Sequence, residues 1–267
     1  MILVACSSID VASFNAAKAL ISIAGLEQRS SSMYAGEAFE LRMLDSPLTQ
    51  AAGADGFGAD IIIFMSRHSS ASGTSAFTVH PMGNWGPEAR LGGLPNTLSV
   101  AAPSLMLSIL RSFEKSGISI ESTYEATHHG PALKTPSLFA EFGGNEATIN
   151  DKNTAAGLAA AVHRSIMSMQ DATNNYSRVV LGIGGTHYPS KFTKLAREKS
   201  YAFSHIMPKH AIFNPDGTDN MHMLGQSVEK SSEKVECAVI DWKSINSEAR
   251  SRIMKCLSDI GIDYERV

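Results

Sequence analysis

The chain has 267 residues, of which 43% are hydrophobic and 18% are charged. This balance is typical of a globular protein with a sizeable core, and it excludes a chain that is disordered throughout. The formal net charge of −3 gives no overall attraction to nucleic acid, so binding to nucleic acid would need a local basic patch. No apolar run is long enough to span a membrane, and the first residues lack the pattern of a signal peptide. A soluble, cytoplasmic protein is therefore expected.

Apolar periodicity and turn residues predict strands that alternate with helices along the chain. The first half is predicted to contain strands at residues 2–5, 39–44 and 60–66 and helices at 11–23 and 103–113. In the first helix, Phe14, Ala17 and Ile21 form the predicted buried face. Between Arg67 and Asn96 the sequence has no periodicity and is rich in Ser, Gly, Pro and His, which indicates a functional or a disordered loop.

The second half of the chain continues the same alternation. It is predicted to contain strands at 118–127, 137–142, 178–183, 201–207 and 236–241 and helices at 151–169, 190–200, 218–230 and 247–260. The pattern predicts one α/β domain over residues 1–267, a three-layer sandwich with a mixed, largely parallel sheet. Ligands of such sheets bind beyond the carboxyl ends of the strands. Four polar clusters, at 66–68, 128–131, 141–146 and 184–191, follow predicted strands, so we expect a site where they meet.

The last of these clusters combines glycines with a histidine directly after a predicted buried strand. The backbone N–H groups of Gly184, Gly185 and Thr186 could bind a phosphate or an oxyanion beside the imidazole of His187. An ordinary tight turn with a surface histidine is the alternative. The glycine spacing does not match the GxGxxG pattern of dinucleotide sites.

Histidines are concentrated in and after these segments. His68 and His80 lie in the long loop, His128 and His129 end a predicted strand, and His187 follows the glycines. Imidazole is both a base near neutral pH and a common metal ligand, so a cluster that converges on one cleft could serve in either role. The alternative is that each histidine caps a turn. Spacing alone does not identify a metal site, because neither HExxH nor CxxC occurs.

Charged residues accompany the histidines. Glu141 stands in an apolar strand, where a buried carboxylate would need a histidine, a metal or a positive substrate group as its partner. An edge-strand residue that faces water is the alternative. Lys191, Lys194 and Arg197 give the following helix a cationic surface suited to phosphates, although such surfaces are commonly just solvated.

Four motifs occur in a fixed order along the chain. They are Ser66-Arg-His-Ser-Ser-Ala-Ser-Gly73 with Thr78-Val-His80 and Gly83-Asn84; Thr127-His-His-Gly-Pro131 continuing to Glu141; Gly184-Gly-Thr-His-Tyr-Pro189; and His205-Ile-Met-Pro-Lys-His210. Together they resemble the archaeal and plant D-aminoacyl-tRNA deacylases, the type 2 family of D-tyrosyl-tRNA deacylases, from about residue 1 to 260. The chain departs from that family after Glu141, where the run from Gly143 to Ile149 replaces an acidic stretch and a tryptophan. No role is therefore carried over to Glu146.

The resemblance implies hydrolysis of the ester that joins a D-amino acid to the terminal ribose of tRNA, by a zinc-dependent monomer. It also implies a fold like those of peptidyl-tRNA hydrolase and the nucleoside phosphorylases. Water would be activated by zinc or by a neutral histidine, and the metal ligands would come from His128, His129, His187 and Glu141. His128 and His187 would be catalytic, with the N–H groups of Gly185 and Thr186 at the oxyanion. The expected substrate-binding residues are His68, His80, Asn84, Glu141, Gly184, Lys191, Lys194 and Arg197, the last three at the acceptor end of D-aminoacyl-tRNA.

Two other functions fit parts of the sequence. A nucleoside phosphorylase-like enzyme would use the glycine segment to hold inorganic phosphate. A non-catalytic tRNA-binding module would bind through the basic helix and show no turnover.

Overall fold

A computed structural model of the chain describes residues 1–70, 72–170 and 176–267. The strands are β1 (Ile2–Ser7), β2 (Glu27–Gln28), β3 (Met33–Ala35), β4 (Phe39–Leu44), β5 (Ile61–Ser69), β6 (Ala76–His80), β7 (Gly83–Asn84), β8 (Thr97–Leu98), β9 (Glu121–Tyr124), β10 (Ser137–Gly144), β11 (Arg178–Ile183), β12 (Tyr201–Met207), β13 (Cys237–Ile240) and β14 (Tyr264–Arg266). The α-helices are α1 (Val11–Ala24), α2 (Pro103–Phe113), α3 (Glu146–Asn150), α4 (Lys152–Gln170), α5 (Ser190–Lys199), α6 (His222–Glu229) and α7 (Ser247–Asp259). Short 3-10 helices lie at Leu48–Gln50, Ala52–Phe57, Lys209–Ala211 and Trp242–Ser244.

The strands form two main sheets. The large sheet has the order β2-β3-β4-β1-β5-β10-β6-β9, and the small sheet has the order β12-β11-β13-β14. The central strands β4, β1, β5 and β10 run parallel, β6 is antiparallel to β10, and all pairs in the small sheet are parallel. The predicted α/β class with mixed, largely parallel pairing is confirmed.

Helices and short turns cover both faces of the large sheet. On one face α1 packs against α4, and α2 packs against α4 and the small sheet. On the other face Leu48 and Ala54, from the 3-10 helices, pack with Phe64 and Phe139. These layers confirm the predicted three-layer sandwich. The main hydrophobic core includes residues of both sheets, such as Met65 in β5 and Val180 in β11.

Helix α1 shows how the sequence determines the packing of one element. The Asp10 side chain accepts a hydrogen bond from the N–H of Ser13 at its start, and Gly25 adopts a left-handed conformation at its end. The predicted buried face is wrong at Phe14, which is 37% exposed. The buried face is instead centred on Ala12, Ala16 and Leu20, because small side chains let α1 approach α4 and the sheet closely.

The predicted loop between 67 and 96 is also wrong over much of its length. Strand β5 continues through Ser69, and β6 is a fully buried strand between β10 and β9. The polar residues Thr78 and His80 interrupt the apolar pattern of β6 although both are buried. Periodicity could not detect a strand whose polar side chains point into the protein.

Strand β9 is shorter than predicted and ends at Tyr124. The chain then leaves the large sheet, because the N–H of Ala126 donates to the carbonyl of His187 and that of Thr127 to the carbonyl of Ile206. This segment joins the two sheets. None of the helices in the described part of the chain combines the length and the apolarity that crossing a bilayer requires.

Candidate functional site

A cleft of about 560 Å³ opens at the carboxyl ends of β1, β5 and β10. Residues from all four predicted polar clusters contribute to its lining. The side chains that line the cleft include Arg67, His68, Glu125, His128, His129, Glu141 and His187. A cleft of this volume is in the range of small-molecule sites, and its position follows the rule for open α/β sheets.

Strand pairing positions the first of these side chains. In the ladder, Glu141 of β10 lies opposite Ser66 of β5 and Thr78 of β6, so its side chain projects from the same face of the sheet as His68 and His80. Its Oε2 atom lies 3.9 Å from His68 Nδ1 and 3.8 Å from His80 Nε2. Glu141 is buried rather than at an edge facing water. His68 and His80 therefore both lie beside the buried carboxylate of Glu141.

Glu125 is at the centre of the site. This residue is only 2% exposed, and its Oε2 atom accepts a hydrogen bond of 2.7 Å from His187 Nε2. His68 Nδ1 lies 2.9 Å from Oε1, but the pair lacks the alignment of a hydrogen bond. Burial alone would raise the pKa of Glu125, but the contacts with His187 and His68 hold that pKa well below its usual value. An ionised carboxylate thus connects a histidine of the large sheet with one that follows the small sheet.

Three further imidazoles share one hydrogen-bonding pattern. The Nδ1 atoms of His80, His128 and His129 lie 3.1, 2.8 and 2.7 Å from the carbonyl oxygens of Pro81, Ala126 and Gly130. Because a carbonyl can only accept, each Nδ1 carries a proton, and Nε2 has a free lone pair whenever the ring is neutral. The rings lie close together, with centroid separations of 4.2 to 4.9 Å.

The surroundings favour neutral rings for His128 and His129 but a positive charge at His80. Burial, together with the neighbouring His80, lowers the pKa of His128 far below its usual value and that of His129 to about 3. Burial would lower the pKa of His80 as well, but Glu141 raises it. The buried Nε2 of His80 nevertheless has no hydrogen-bond partner. Glu141 therefore favours a positive charge beside it, carried by a protonated His80 or by a bound cation.

The described residues contain three groups of side chains able to hold a metal ion. These overlapping groups are His80 with His128 and His129; Glu125 with His128 and His187; and His68 with Glu125 and Glu141. Within each group the candidate ligand atoms lie within 4.8 Å of one another. Nitrogen and carboxylate oxygen ligands suit several divalent transition metals.

The structure does not support the predicted oxyanion donors at the two glycines. The N–H of Gly184 donates to the carbonyl of Met207 at 2.8 Å, and that of Gly185 donates to Ser244 Oγ at 2.8 Å. Both glycines have positive φ, 101° and 76°, which turns this loop towards those partners. The Thr186 hydroxyl donates to the carbonyl of Tyr188. The N–H groups of the two glycines and the Thr186 hydroxyl thus shape the turn that carries His187, and the predicted role of the Thr186 N–H stays a prediction.

Other predicted substrate-binding residues are engaged elsewhere. The amide of Asn84 donates to the carbonyls of Gly92 and Leu94 and so closes its own loop. Lys194 lies 3.8 Å from Glu198. Arg197 pairs with Glu114 at 2.6 Å and donates to the carbonyl of Ser122, so it fastens α5 to neighbouring elements. Asn84 and Arg197 are therefore held by contacts within the protein, whereas Lys194 is largely exposed with a carboxylate close by.

Sequence reasoning missed two residues of the site. Glu125 is the central carboxylate, and the hydroxyl of Tyr188 lies 3.5 Å from His68 Nε2 at the opening of the cleft. A signal for Glu125 was present, because it stands in a predicted strand three residues before a histidine pair. The argument that selected Glu141 applies to it equally well.

Comparison with known proteins gives a consistent result. The model of a family described as D-aminoacyl-tRNA deacylase matches residues 56–265. A D-aminoacyl-tRNA deacylase of Ignicoccus hospitalis is 41% identical over 207 residues, which cover 76% of this chain and 80% of that protein. One of Pyrococcus furiosus is 38% identical over 208 residues, covering 77% and 73%. The crystal structure of a conserved protein of unknown function covers 100% of this chain and 95% of its own, with a TM-score of 0.88 and 27% identity.

Proposed function

This chain belongs to the D-aminoacyl-tRNA deacylase family, and from that premise we propose that it hydrolyses the ester bond of D-aminoacyl-tRNA in the histidine-lined cleft. The products are the free D-amino acid and the tRNA. The observation that carries the proposal is the convergence of His68, His128, His129 and His187 on two buried carboxylates in one cleft. All of these side chains come from one chain, so a monomer would suffice for the reaction. The proposed location is the cytoplasm.

His187 is the proposed general base. Because the Glu125 carboxylate accepts the Nε2 proton of His187, the other ring nitrogen, Nδ1, has the free lone pair. An imidazole held in one tautomer by a buried carboxylate is a recurrent arrangement in hydrolases. Nδ1 would take a proton from water as the water attacks the ester carbonyl, and would return it to the ribose oxygen that leaves.

Glu141 is the proposed partner of the substrate's α-ammonium group. It lies in the cleft lining close to His68 and His80. A cationic ammonium beside this carboxylate would hold the amino acid with its ester directed towards His187. The side chain of Tyr188, at the opening, lies next to both His68 and His187.

The residues present fit a zinc ion, and we assign its ligands to His80, His128 and His129. Three free Nε2 lone pairs, one of them buried without a partner, match a site with three protein ligands. Two ligands of one tetrahedral zinc lie about 3.3 Å apart, since each bond is about 2.0–2.1 Å long. The 2.7 Å separation of His187 and Glu125 is shorter and is that of a hydrogen bond. When bound, zinc supplies a Lewis acid for the carbonyl oxygen and lowers the pKa of bound water.

This assignment changes the predicted ligand set. In the ligand set His80 takes the place of His187, because the Nε2 atom of His187 is hydrogen-bonded to Glu125. Glu141 lies near His80 but does not share a group with His128 and His129, so it acts beside the site as a negative charge. The internal use of the Gly184 and Gly185 N–H groups also removes the phosphate loop on which the phosphorylase alternative depended.

The test is release of D-tyrosine from D-tyrosyl-tRNA, with L-tyrosyl-tRNA as the comparison substrate. We expect His187→Ala to lower kcat by roughly 10²–10⁴, the usual contribution of a general base, while the metal content is retained. His128→Ala should lose bound metal as well as activity. The control is His222→Ala, at an exposed position on α6, and it should behave like the wild type. Undiminished turnover in both site variants would refute the proposal.

A further inference from the structure

We infer that a basic face beside the cleft binds phosphodiester groups of the tRNA acceptor end. The basic face consists of Lys191, Lys209, Lys243, Arg250 and Arg266. The inference rests on the proposed function, because the reaction in the cleft is what identifies an RNA backbone as the polyanion. It replaces the predicted contacts of Lys194 and Arg197, whose charges are paired within the protein.

A small cavity marks the part of this face nearest to the cleft. It has a volume of about 110 Å³, and Thr186, Lys191 and Lys209 contribute to its lining. Thr186 directly precedes His187, which lines the cleft. The N–H of Lys209 donates to the carbonyl of Gly185 at 3.0 Å, so the position of Lys209 is fixed relative to the same turn. An anion in this cavity would therefore lie next to the segment that carries the proposed base.

The remaining cations extend the face away from the cleft. The 3-10 helix Trp242–Ser244 begins directly after Asp241, which lines the small cavity together with Ser244. Lys243 lies between those two lining residues and is exposed. The guanidinium groups of Arg250 and Arg266 lie 4.7 and 4.0 Å from the centre of the Trp242 ring. These cations therefore lie along the surface around the 3-10 helix Trp242–Ser244.

Most of these cations have no carboxylate partner. Lys191 pairs with Asp241 at 2.5 Å. Over residues 1–70, 72–170 and 176–267, no carboxylate lies within 4.0 Å of the charged groups of Lys209, Lys243, Arg250 or Arg266. By contrast, Arg178 and Arg252 each contact two carboxylates.

A group of five cations, of which only Lys191 pairs with a carboxylate within the described residues, attracts a polyanion. In a chain with a net charge of −3, this face is the kind of local patch that nucleic-acid binding requires. Each phosphate that it neutralises releases counterions, which makes binding sensitive to salt. The extended arrangement fits successive phosphates of an RNA strand better than one isolated phosphate ion.

The salt dependence of RNA binding tests this inference. The probe is a fluorescently labelled RNA hairpin that carries a tRNA acceptor stem and its single-stranded 3′ end. The variants are Lys209→Gln and Lys243→Gln, singly and together, and the matched control is Lys194→Gln on α5. Each lost contact should reduce the slope of log Kd against log salt by about 0.7–0.9. The control should keep the wild-type slope, and wild-type slopes in the single and double variants would overturn the inference.

A second substrate separates this inference from the proposed function. D-Tyrosyl-adenosine has the same ester but no phosphodiester. The double variant should hydrolyse it at the wild-type rate while its kcat/KM for D-tyrosyl-tRNA falls about tenfold or more. An equal fall for both substrates would overturn the inference, because the effect would then arise in the cleft. If the wild type hydrolyses neither substrate, the proposed function fails, and the salt slopes still decide whether the basic face binds RNA.

Discussion

The carboxylate of Glu125 is the residue on which the geometry of the site depends most. It contacts His68 from β5 and His187 from the turn after β11, and its own N–H donates to the carbonyl of Val79 in β6. Its hydrogen bond fixes the orientation and the tautomer of the His187 imidazole. Loss of its charge should therefore impair proton transfer.

Glu125→Gln is the corresponding prediction. The amide has nearly the same shape but no charge, so it cannot stabilise an imidazolium at position 187. We expect kcat for D-aminoacyl-tRNA to fall by about 10²–10⁴, with little change in KM. Single-turnover hydrolysis measures this effect.

Metal content provides the control for this variant. Because Glu125 is assigned as a hydrogen-bond partner and not as a ligand, the Gln variant should bind as much zinc as the wild type. Equal losses of zinc and of activity would show instead that Glu125 coordinates the ion.

Most of the side chains that line the cleft could be named from the sequence, but the contacts between them could not. His68, His128, His129, Glu141 and His187 were selected because they follow predicted strands, and the sheet brings such positions together. The use of the Gly184 and Gly185 N–H groups depends on Met207 and Ser244, which are distant in the sequence. Long-range pairings of this kind leave no local signal in the sequence, so the engagement of these N–H groups could not be predicted from it.

At the scale of secondary-structure elements, regular apolar patterns predicted helices and strands correctly, whereas patterns that mix polar and apolar residues did not. The helix predicted at 103–113 and the strands predicted at 39–44, 178–183 and 201–207 coincide with α2, β4, β11 and β12. Strand β6 was missed because Thr78 and His80 are polar yet buried. A strand that carries functional side chains into the protein loses the alternation by which strands are recognised.

Helix α1 gives a test of packing at this scale. Leu20 is fully buried, whereas Phe14 is exposed with the ammonium of Lys18 above its ring. Leu20→Ala should lower the free energy of unfolding by about 2–5 kcal/mol. Phe14→Ala should change it by no more than about 0.5 kcal/mol, as is usual for surface positions.

Urea unfolding followed by circular dichroism measures both variants of α1. The two substitutions lie on the same helix, so helix propensity affects them in a similar way. A loss for Phe14→Ala as large as that for Leu20→Ala would contradict the assigned buried face.

At the scale of the whole molecule, the site combines residues distant in sequence. His80, His128 and His129 come from two segments, and an ion that binds all three would stabilise the folded protein over the unfolded chain. With free zinc about 100-fold above its dissociation constant the gain is about 2.7 kcal/mol. For a chain of this size that corresponds to roughly 5–10 °C in Tm.

Removal of zinc by a chelator should therefore lower Tm by roughly 5–10 °C. Differential scanning calorimetry measures this change. His129→Ala, which lacks one assigned ligand, should show little further change on chelation. His187→Ala should respond as the wild type does, because His187 is outside the ligand set. A His187 variant that is insensitive to chelator would overturn the assignment.

The segment from Glu125 to His129 joins the two sheets, and this has a consequence for how activity is lost. The three assigned ligands lie on the large sheet or on the joining segment, whereas the proposed base follows the small sheet. A small separation of the sheets would break the contact between Glu125 and His187 and leave the imidazole cluster intact. Under the proposed assignment, retention of zinc and catalytic competence are therefore separable properties. Mild denaturation should yield a zinc-loaded but inactive protein before the fold is lost.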